Sequence, residues 1–361
     1  MGLVEEQQGG FQRIAMRRIP TKEKRMRMLK IAVLIVTACL SAAAQKQTSG
    51  LPALHTSGVA QPVGKPGGFK VLDWAGYKSA LTYTFDDALP SQIENYAKLH
   101  ATGVRMTFFL TSNNGVNPAW AQIAKDGNEL GNHTAHHCHA DATGCAWGGY
   151  AGSLEAEYDQ CTAFIKKNYG VSEVWTTAAP YGDTGYEKVA KTRFFLNRGV
   201  MGGLVAPGDN TDPYNLLIHG AVAGETAAKI NPAIDSSLAS GKWLILMFHS
   251  MGGDNGYAPV DPGEVLASIH HAQSLQNVWI DSMVNVGAYW AGQKAVAEAK
   301  SSTSGKETIL TWTLPPHFPP GHTLRVTVTG GVLKQDGKTL PWNDAGYYEI
   351  ALDAGALTIG K

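Results

Sequence analysis

Short apolar runs alternate with helical patterns from Val71 to about Ala299. Runs such as "ALTYTF", "RMTFFL" and "KWLILMF" are rich in branched and aromatic residues, which is typical of buried strands. The stretches between them, such as "SLEAEYDQCTAFIKKNYG", repeat their apolar residues with a helical period. Strand followed by helix, repeated six or more times over roughly 230 residues, predicts an α/β fold with a closed or nearly closed (β/α) barrel.

The pattern changes to period two after "SSTSGK", with runs such as "LRVTVTGGVL" and "YYEIALDAGALTI" separated by turn signals. This change predicts a small all-β appendage over residues 301–361, following a barrel over residues 70–300. No exposed aromatic triplet can be identified in the appendage, so we interpret it as a packing cap rather than a carbohydrate-binding module. The polar stretch over residues 45–69 is rich in Gly, Pro, Ser and Thr and is interpreted as a linker.

The first 44 residues have the pattern of a signal peptide with an upstream extension. A basic stretch ends at Lys30, an apolar run follows from Ile31 to Leu40, and small residues then lead to a cleavage site after Ala44. The run is too short to span a bilayer comfortably, so no stable membrane span is expected. Export to the periplasm or the medium is predicted, and acylation of Cys39 as a lipoprotein is the alternative.

The net charge and the cysteines of the chain bear on its binding partners and on its compartment. The formal net charge is zero and the pI is near 7.2, so no overall basic field favours nucleic acid or anionic lipid. Export implies an oxidising compartment, in which Cys138 and Cys145 could close a loop by a disulfide. The oligomeric state does not follow from the sequence.

Three predicted strands end in ionisable residues. "LTYTFDDA" delivers Asp86 and Asp87, "ELGNHTAHH" delivers His133 and His137, and "LILMFHS" delivers His249. The carboxyl ends of barrel strands carry the active residues, so these groups are expected to meet at one mouth. Adjacent carboxylates repel and favour a cation, and two imidazoles with one carboxylate leave open coordination positions for water and substrate.

These motifs resemble a known family. "TFDD", "HTAHH", "APYG" and "LMFHS", in that order over about residues 70–295, are similar to the motifs of the polysaccharide deacetylase family, the NodB-like enzymes of carbohydrate esterase family 4. The resemblance implies a distorted (β/α) barrel of the NodB-homology type. It also implies a metal-dependent hydrolase that removes N-acetyl or O-acetyl groups from a polysaccharide or oligosaccharide, with metal-bound water as nucleophile.

The resemblance carries roles to individual residues. Asp87, His133 and His137 hold a divalent metal, most often Zn²⁺. Asp86 is the general base and His249 the general acid. The oxyanion is held by the N–H of Tyr181, because the preceding Pro180 has no N–H to offer.

The chain departs from the family pattern at one position. Ala178 stands where the third motif normally has an arginine that orients the base carboxylate. We hypothesise that Arg198 reaches that carboxylate instead, with a surface arginine on a loop as the alternative. Trp279, at another strand end, is predicted to form a wall around the acetyl methyl, with a core position as the alternative. Trp147, in a glycine-rich loop, could stack on sugar or simply pack. The candidates for an acid that partners the general-acid histidine are Asp209, Asp212 and Asp261.

Two other functions use the same residues. Non-haem iron oxygenases also bind metal through two histidines and a carboxylate, and "HAD" at His139 to Asp141 has the matching spacing. That chemistry commonly occurs in antiparallel jelly rolls, which the β/α pattern disfavours. A sugar-binding protein with a decayed site is the second alternative, and the missing arginine is its only support.

Overall fold

Parallel strands close into a barrel in the computed structural model, which describes residues 50–361. The predicted signal peptide and Cys39 lie outside the described residues. The strands in the first part of the chain are β1 (Lys70–Val71), β2 (Ser79–Phe85), β3 (Thr107–Leu110), β4 (Glu129–Asn132), β5 (Thr176–Ala178), β6 (Leu196–Gly202), β7 (Leu216–Gly220), β8 (Trp243–Phe248) and β9 (Val278–Ile280).

The barrel follows the order of the chain. Strands β2 to β8 are neighbours in sequence order, all pairs are parallel, and β8 returns to β2. Strand β2 pairs with β3 only at its carboxyl end, through Thr84 and Phe85, whereas β9 pairs with its amino end at Ser79–Leu81. Seven strands therefore surround the carboxyl mouth, and β9 closes only the opposite end. The predicted (β/α) barrel is confirmed.

Helices connect successive strands and cover the barrel. They are α1 (Pro90–Glu94), α2 (Tyr96–His100), α3 (Ala119–Lys125), α4 (Leu154–Tyr169), α5 (Glu187–Ala190), α6 (Ala227–Ser240), α7 (Pro262–Ser274) and α8 (Met283–Ala297). Ser153 caps α4 through the Ala156 N–H, and Asp261 caps α7 through the Gly263 N–H, as short polar side chains do at helix starts.

Alternation along β2 separates two layers of core. Tyr83 and Phe85 pack in the cluster that contains helix residues such as Ile269, and the Phe85 ring lies 5.5 Å from that of Phe248. Ala80, on the other face, packs in a second cluster. Because side chains alternate along a strand, Asp86 extends the face of Ala80, opposite the face that packs against helix residues such as Ile269.

The last strands form two antiparallel sheets. They are β10 (Lys300–Ser304), β11 (Glu307–Thr311), β12 (Thr323–Thr327), β13 (Val332–Gln335), β14 (Lys338–Thr339), β15 (Trp342–Asn343), β16 (Tyr347–Ala351) and β17 (Ala356–Gly360). One sheet has the order β1-β12-β16-β15 and the other β10-β11-β17-β13-β14. The predicted all-β appendage is confirmed, and the predicted boundaries of the parts stay predictions.

The appendage packs on the barrel through a shared core. Trp290 on α8 and Leu352 after β16 belong to the same buried cluster as Trp243 of the barrel. The segment before β1 also contacts this part of the chain, since the Val59 N–H donates to the Asp344 carbonyl at 2.7 Å. Within residues 50–361, no helix combines the length and hydrophobicity needed to cross a bilayer.

Candidate metal centre and active site

The residues predicted for the metal site meet at the carboxyl mouth of the barrel. Asp86 and Asp87 follow β2 directly, and His133 follows β4 directly. The Asp86 N–H donates to the Phe248 carbonyl on β8, at 2.9 Å, so regular pairing continues to the point where the carboxylates begin. Each strand thus delivers its ionisable groups where its hydrogen-bonded ladder ends.

Asp87, His133 and His137 form a compact set of potential ligands. Their ligand atoms all lie within 4.8 Å of one another, and all three residues are buried. Asp87 Oδ1 lies 3.4 Å from His133 Nε2 and 3.5 Å from His137 Nε2. This oxygen is buried without a hydrogen-bond partner among the described residues, so the donor set fits a divalent cation of the Zn²⁺ type.

The two histidine rings are held differently. His133 Nδ1 lies 2.8 Å from the Ala178 carbonyl at the end of β5, which leaves Nε2 to face Asp87. His137 Nδ1 is buried and has no partner among the described residues. Its ring instead packs edge-on against Trp147 at 5.2 Å and Tyr181 at 4.5 Å. His133 is therefore fixed by a strand end, and His137 by its loop.

The pKa directions follow from burial and from the neighbouring charges. Burial raises the pKa of Asp87, but His133 and the other nearby histidines outweigh it and hold that pKa below its usual value. Burial lowers the pKa of His133, and the charges of the two aspartates outweigh it and raise that pKa overall. For His137, burial followed by repulsion from His133 lowers the pKa to about 4. His137 is thus neutral at neutral pH, as a metal ligand must be.

Asp86 is paired with Arg198, as hypothesised from the sequence. Arg198 Nη2 contacts Asp86 Oδ2, and both side chains are almost fully buried, at 1% and 2% exposure. Arg198 lies inside β6, next to β5, with Ala178 on β5 opposite it in the register. The guanidinium therefore enters from the strand beside the position where the family motif has its arginine. Asp86 Oδ1 remains buried without a partner among the described residues.

His249 follows β8 directly and lies beside Asp86, which follows the neighbouring strand β2. Its Nε2 lies 3.7 Å from Asp86 Oδ2. Burial lowers the pKa of His249, against the opposing effect of the aspartates. Its Nδ1 is buried without a partner in residues 50–361.

None of the three acids considered as partners of His249 fills that role. The Nδ1 atom of His249 has no hydrogen bond to any of them, and each of the three makes other contacts. Asp209 accepts from the Ala206 N–H, Asp212 lies 3.7 Å from Lys191, and Asp261 caps α7.

Tyr181 and Pro180 form a tight turn beside the metal set. Pro180–Gly182 is a single 3-10 turn in which Tyr181 has a φ of 57°. The Tyr181 hydroxyl donates to the Gly144 carbonyl at 2.6 Å, and its ring stacks on His139 at 3.8 Å. The Tyr181 ring also contacts the His137 ring, at 4.5 Å, so this strained turn lies beside the metal set. His139 and Asp141 do not join the metal set.

The prediction that Trp279 forms an acetyl wall is wrong. Trp279 is buried in the core between the barrel and the appendage, and its ring packs against Tyr289. It pairs with Ala80, six residues before Asp86, and therefore lies roughly 20 Å from the mouth along the strand. The sequence pattern indicates that Trp279 belongs to a strand, but it does not show that this strand, β9, is displaced towards the amino end of the barrel.

A cavity of about 720 Å³ opens over these residues. Its rim includes Trp147 from the glycine-rich loop and Tyr257 from the loop after β8, and Val200 and Met247 contribute apolar wall. Trp147 was a candidate from the sequence, whereas Tyr257, Val200 and Met247 were missed. Val200 and Met247 reach the cavity from strands β6 and β8, and Tyr257 reaches it from a loop. No local sequence signal marks these three residues as neighbours.

A disulfide closes part of the rim. Cys138 and Cys145 are bonded, as the spacing allowed, and Cys161 is a buried free thiol. The bonded loop leads directly to Trp147, whose backbone N–H donates to the His136 carbonyl at 3.3 Å. The loop that carries His137 is thus joined covalently to the loop that carries the tryptophan.

Comparison with known proteins gives one family match. Residues 76–194 match the family model described as polysaccharide deacetylase, which confirms the predicted resemblance. The matched segment contains the three potential metal ligands and Asp86, and it ends before Arg198 and His249. Deacetylation is a hydrolysis, so the predicted enzyme class, hydrolase, is supported at the level of this family. No curated protein sequence matches the chain.

Several solved structures are similar to part of the chain. "T48 deacetylase with substrate" has 16% identity and a TM-score of 0.43, over 60% of this chain and 94% of that one. The catalytic domain of a peptidoglycan N-acetylglucosamine deacetylase from Eubacterium rectale has 17% identity and a TM-score of 0.39, over 62% and 92%. A family 4 carbohydrate esterase from Streptomyces lividans, in complex with acetate, has 18% identity and a TM-score of 0.41, over 58% and 95%.

Proposed function

We propose that this chain, whose residues 76–194 match the polysaccharide deacetylase family, is a metal-dependent hydrolase that removes acetyl groups from an acetylated polysaccharide or oligosaccharide. The observation that carries the proposal is the convergence of Asp87, His133 and His137 within 4.8 Å at the floor of an open cavity. Asp86 and His249 flank that set from neighbouring strands. A set of potential metal ligands and two groups that can transfer protons therefore lie together at the carboxyl mouth of the barrel.

The ligand set would hold Zn²⁺ or a similar divalent ion. Such an ion acts as a Lewis acid towards a carbonyl oxygen and lowers the pKa of water towards 7. In this chain, the lowered pKa values of Asp87 and His137 keep both ligands in the form that binds a cation.

Asp86 is proposed as the base that accepts a proton from the attacking water. Its Oδ2 is held by Arg198, which leaves the unpartnered Oδ1 to accept that proton. A base fixed through one oxygen keeps a constant direction towards the substrate, which is what general-base catalysis requires. Arg198 acts here as a positioning residue.

His249 is proposed as the group that protonates the departing nitrogen or oxygen. Its Nε2 lies 3.7 Å from Asp86 Oδ2. The protonated histidine gives its proton to the leaving atom, and the lowered pKa of His249 makes that form a stronger acid. Asp86 then holds the proton taken from water, and return of that proton to His249 restores both groups for the next turnover.

The Tyr181 peptide N–H is proposed to stabilise the oxyanion that develops on the acetyl carbonyl. The proposal is supported by the contact of the Tyr181 ring with the His137 ring, by the tight turn at Pro180–Gly182, and by the inability of the preceding proline to donate. A donor fixed by backbone strain costs no reorganisation when the charge develops.

The rim suits a neutral sugar. Trp147, Tyr181 and Tyr257 line the mouth, and Tyr257 exposes 71% of its surface to solvent. Aromatic faces bind the apolar faces of sugar rings without a need for charge. Export of the protein is also proposed, because its apolar leader-like run and its Cys138–Cys145 disulfide both suit an oxidising compartment.

Acetate release tests the function directly. The full chain is stripped of metal with a chelator, reloaded with Zn²⁺, and assayed on acetylated xylan, chitin oligomers and N-acetylated peptidoglycan. Release that requires the metal and is abolished by Asp87→Asn is expected. His271→Gln, a surface histidine paired with Asp235 on α6, is the matched control and should release acetate as the wild type does.

The same assay separates the alternatives. Metal-loaded protein that binds these glycans but releases no acetate from any of them would favour a sugar-binding protein. Turnover that requires iron and oxygen would overturn the hydrolase. The ratio of release from amide-linked to ester-linked acetyl groups identifies the bond that is cleaved.

A further inference from the structure

A buried glutamate outside the proposed catalytic set organises the loop that carries His137. Glu157 lies in the first turns of α4 and is fully buried. Its Oε2 accepts from the Ala135 N–H at 3.0 Å and from the His136 N–H at 2.8 Å. Its Oε1 accepts from the Ala151 N–H at 2.8 Å. One carboxylate therefore ties both ends of residues 135–151 to the same helix.

The Glu157 carboxylate accepts a fourth hydrogen bond, from the His136 side chain. His136 Nδ1 lies 2.9 Å from Glu157 Oε1, and because a carboxylate only accepts, this nitrogen carries the hydrogen. Four N–H donors on one buried carboxylate leave no room for a group that itself donates. An amide side chain of the same size would set its own N–H groups against two of them.

The segment that Glu157 holds is conformationally strained. Thr134 has a φ of 65° and His137 a φ of 51°, on either side of the two amides that bind the carboxylate. Residues with side chains disfavour these conformations, which persist only where surrounding contacts impose them. The contacts that hold this segment include the Glu157 hydrogen bonds, the bond from the Thr134 N–H to Asn132 Oδ1 at 2.7 Å, and the bond from the His137 N–H to Thr134 Oγ1 at 3.1 Å.

The two histidines of the metal set depend unequally on this loop. His133 is fixed by the strand end and by its Nδ1 contact with Ala178. His137 lacks a hydrogen bond at Nδ1 within residues 50–361, so its ring is positioned by the backbone of the loop and by its edge-on contacts with Trp147 and Tyr181. A change that relaxes the loop should therefore displace His137 and leave His133 in place.

We propose that Glu157 is a positioning residue that sets the metal affinity of the site through His137. The proposal rests on the proposed function only in that Asp87, His133 and His137 bind a metal. Removal of a residue that orients a metal ligand without touching the metal typically weakens metal binding about 10- to 100-fold.

Zn²⁺ affinity, measured on the metal-free full chain by competition with a chromophoric chelator, tests the proposal. Glu157→Gln is expected to weaken Zn²⁺ binding about 10- to 100-fold. Glu157→Asp keeps the negative charge, but its shorter side chain moves the carboxylate away from the loop N–H groups. It should therefore also weaken Zn²⁺ binding. The control is Glu129→Gln, a second buried glutamate, which accepts from Thr107 and Thr176 at the far end of β4. It should lower thermal stability without changing Zn²⁺ affinity.

A double-variant cycle separates positioning from general stability. In a His137→Ala background, Glu157→Asp should weaken Zn²⁺ binding less than twofold further, because its effect acts through a ligand already removed. Equal losses in both backgrounds, or wild-type affinity in both Glu157 variants, would overturn the proposal. Absence of Zn²⁺ binding by the wild type would instead refute the proposed metal site itself.

Discussion

Replacing Arg198 by methionine removes the charge that holds Asp86 while keeping most of the buried volume. Arg198 and Asp86 are 1% and 2% exposed, so water cannot take the place of either partner. Loss of one member of a buried ion pair destabilises a protein by about 3–5 kcal/mol, because the other charge stays buried without compensation. We expect Arg198→Met to lower the free energy of unfolding by about 3 kcal/mol or more.

The same substitution should also impair catalysis in the molecules that remain folded. Without the guanidinium, Asp86 is no longer fixed through Oδ2, and misplacement of a reacting group by about 1 Å can cost on the order of 100-fold in rate. Acetate release measured as kcat/KM, at a temperature where the variant is folded, reports this loss. Urea unfolding of the metal-free protein reports the stability.

Two further variants make the result specific. Asp86→Asn combined with Arg198→Met should cost less stability than the sum of the two single changes, because neither charge is then left alone. Arg325→Met is the matched control, since Arg325 is 2% exposed and donates to the carbonyls of Ala75 and Pro52 away from the mouth. It should destabilise the fold with unchanged kcat/KM. Wild-type kcat/KM in folded Arg198→Met would refute the positioning role.

Two other predictions concern pH and the rim. Burial and His133 lower the pKa of His137 from 6.5 to about 4, so as the pH falls the unfolded chain takes up this proton before the folded protein does. The free energy of unfolding of the metal-free protein should therefore fall by up to about 3 kcal/mol between pH 6.5 and pH 4. A His137→Gln variant whose stability to urea falls just as steeply over that range would contradict this. Tyr257→Ala should raise KM for an acetylated oligosaccharide about two- to tenfold with a smaller effect on kcat, since an aromatic contact is worth about 0.5–1.5 kcal/mol. Tyr257→Phe should behave as the wild type, and equal KM values in all three proteins would exclude stacking on this ring.

The barrel and the position of the ionisable groups could be predicted because both follow from local pattern. Strands of a parallel barrel are buried on both faces, so β8 reads as a continuous apolar run and the fully buried β2 as a run of apolar, aromatic and hydroxyl side chains. The residues that follow such runs are expected at the mouth. Asp87, His133 and His249 all follow a strand in this way, directly or by one residue.

Features set by register and by long-range contact could not be predicted. Trp279 lies within the short strand β9, but its pairing with Ala80 places it at the amino end of the barrel, and pairing register is not encoded in a short apolar run. Glu157 reads as an ordinary acidic residue near a helix start, and only the fold shows that it accepts four hydrogen bonds from the ligand loop. The contact of Arg198 with Asp86 is a long-range contact that no sequence pattern encodes. It could be proposed only because Ala178 replaces the arginine of the motif, so that the Asp86 carboxylate needs another cationic partner.

Anomalous diffraction at the zinc edge, from crystals of the full chain grown with Zn²⁺, tests the central claim most directly. The account predicts one anomalous peak at about 2.0–2.2 Å from Asp87 Oδ1, His133 Nε2 and His137 Nε2 together. A peak bound by other residues, or no peak at the mouth in a crystal that shows zinc elsewhere, would contradict it.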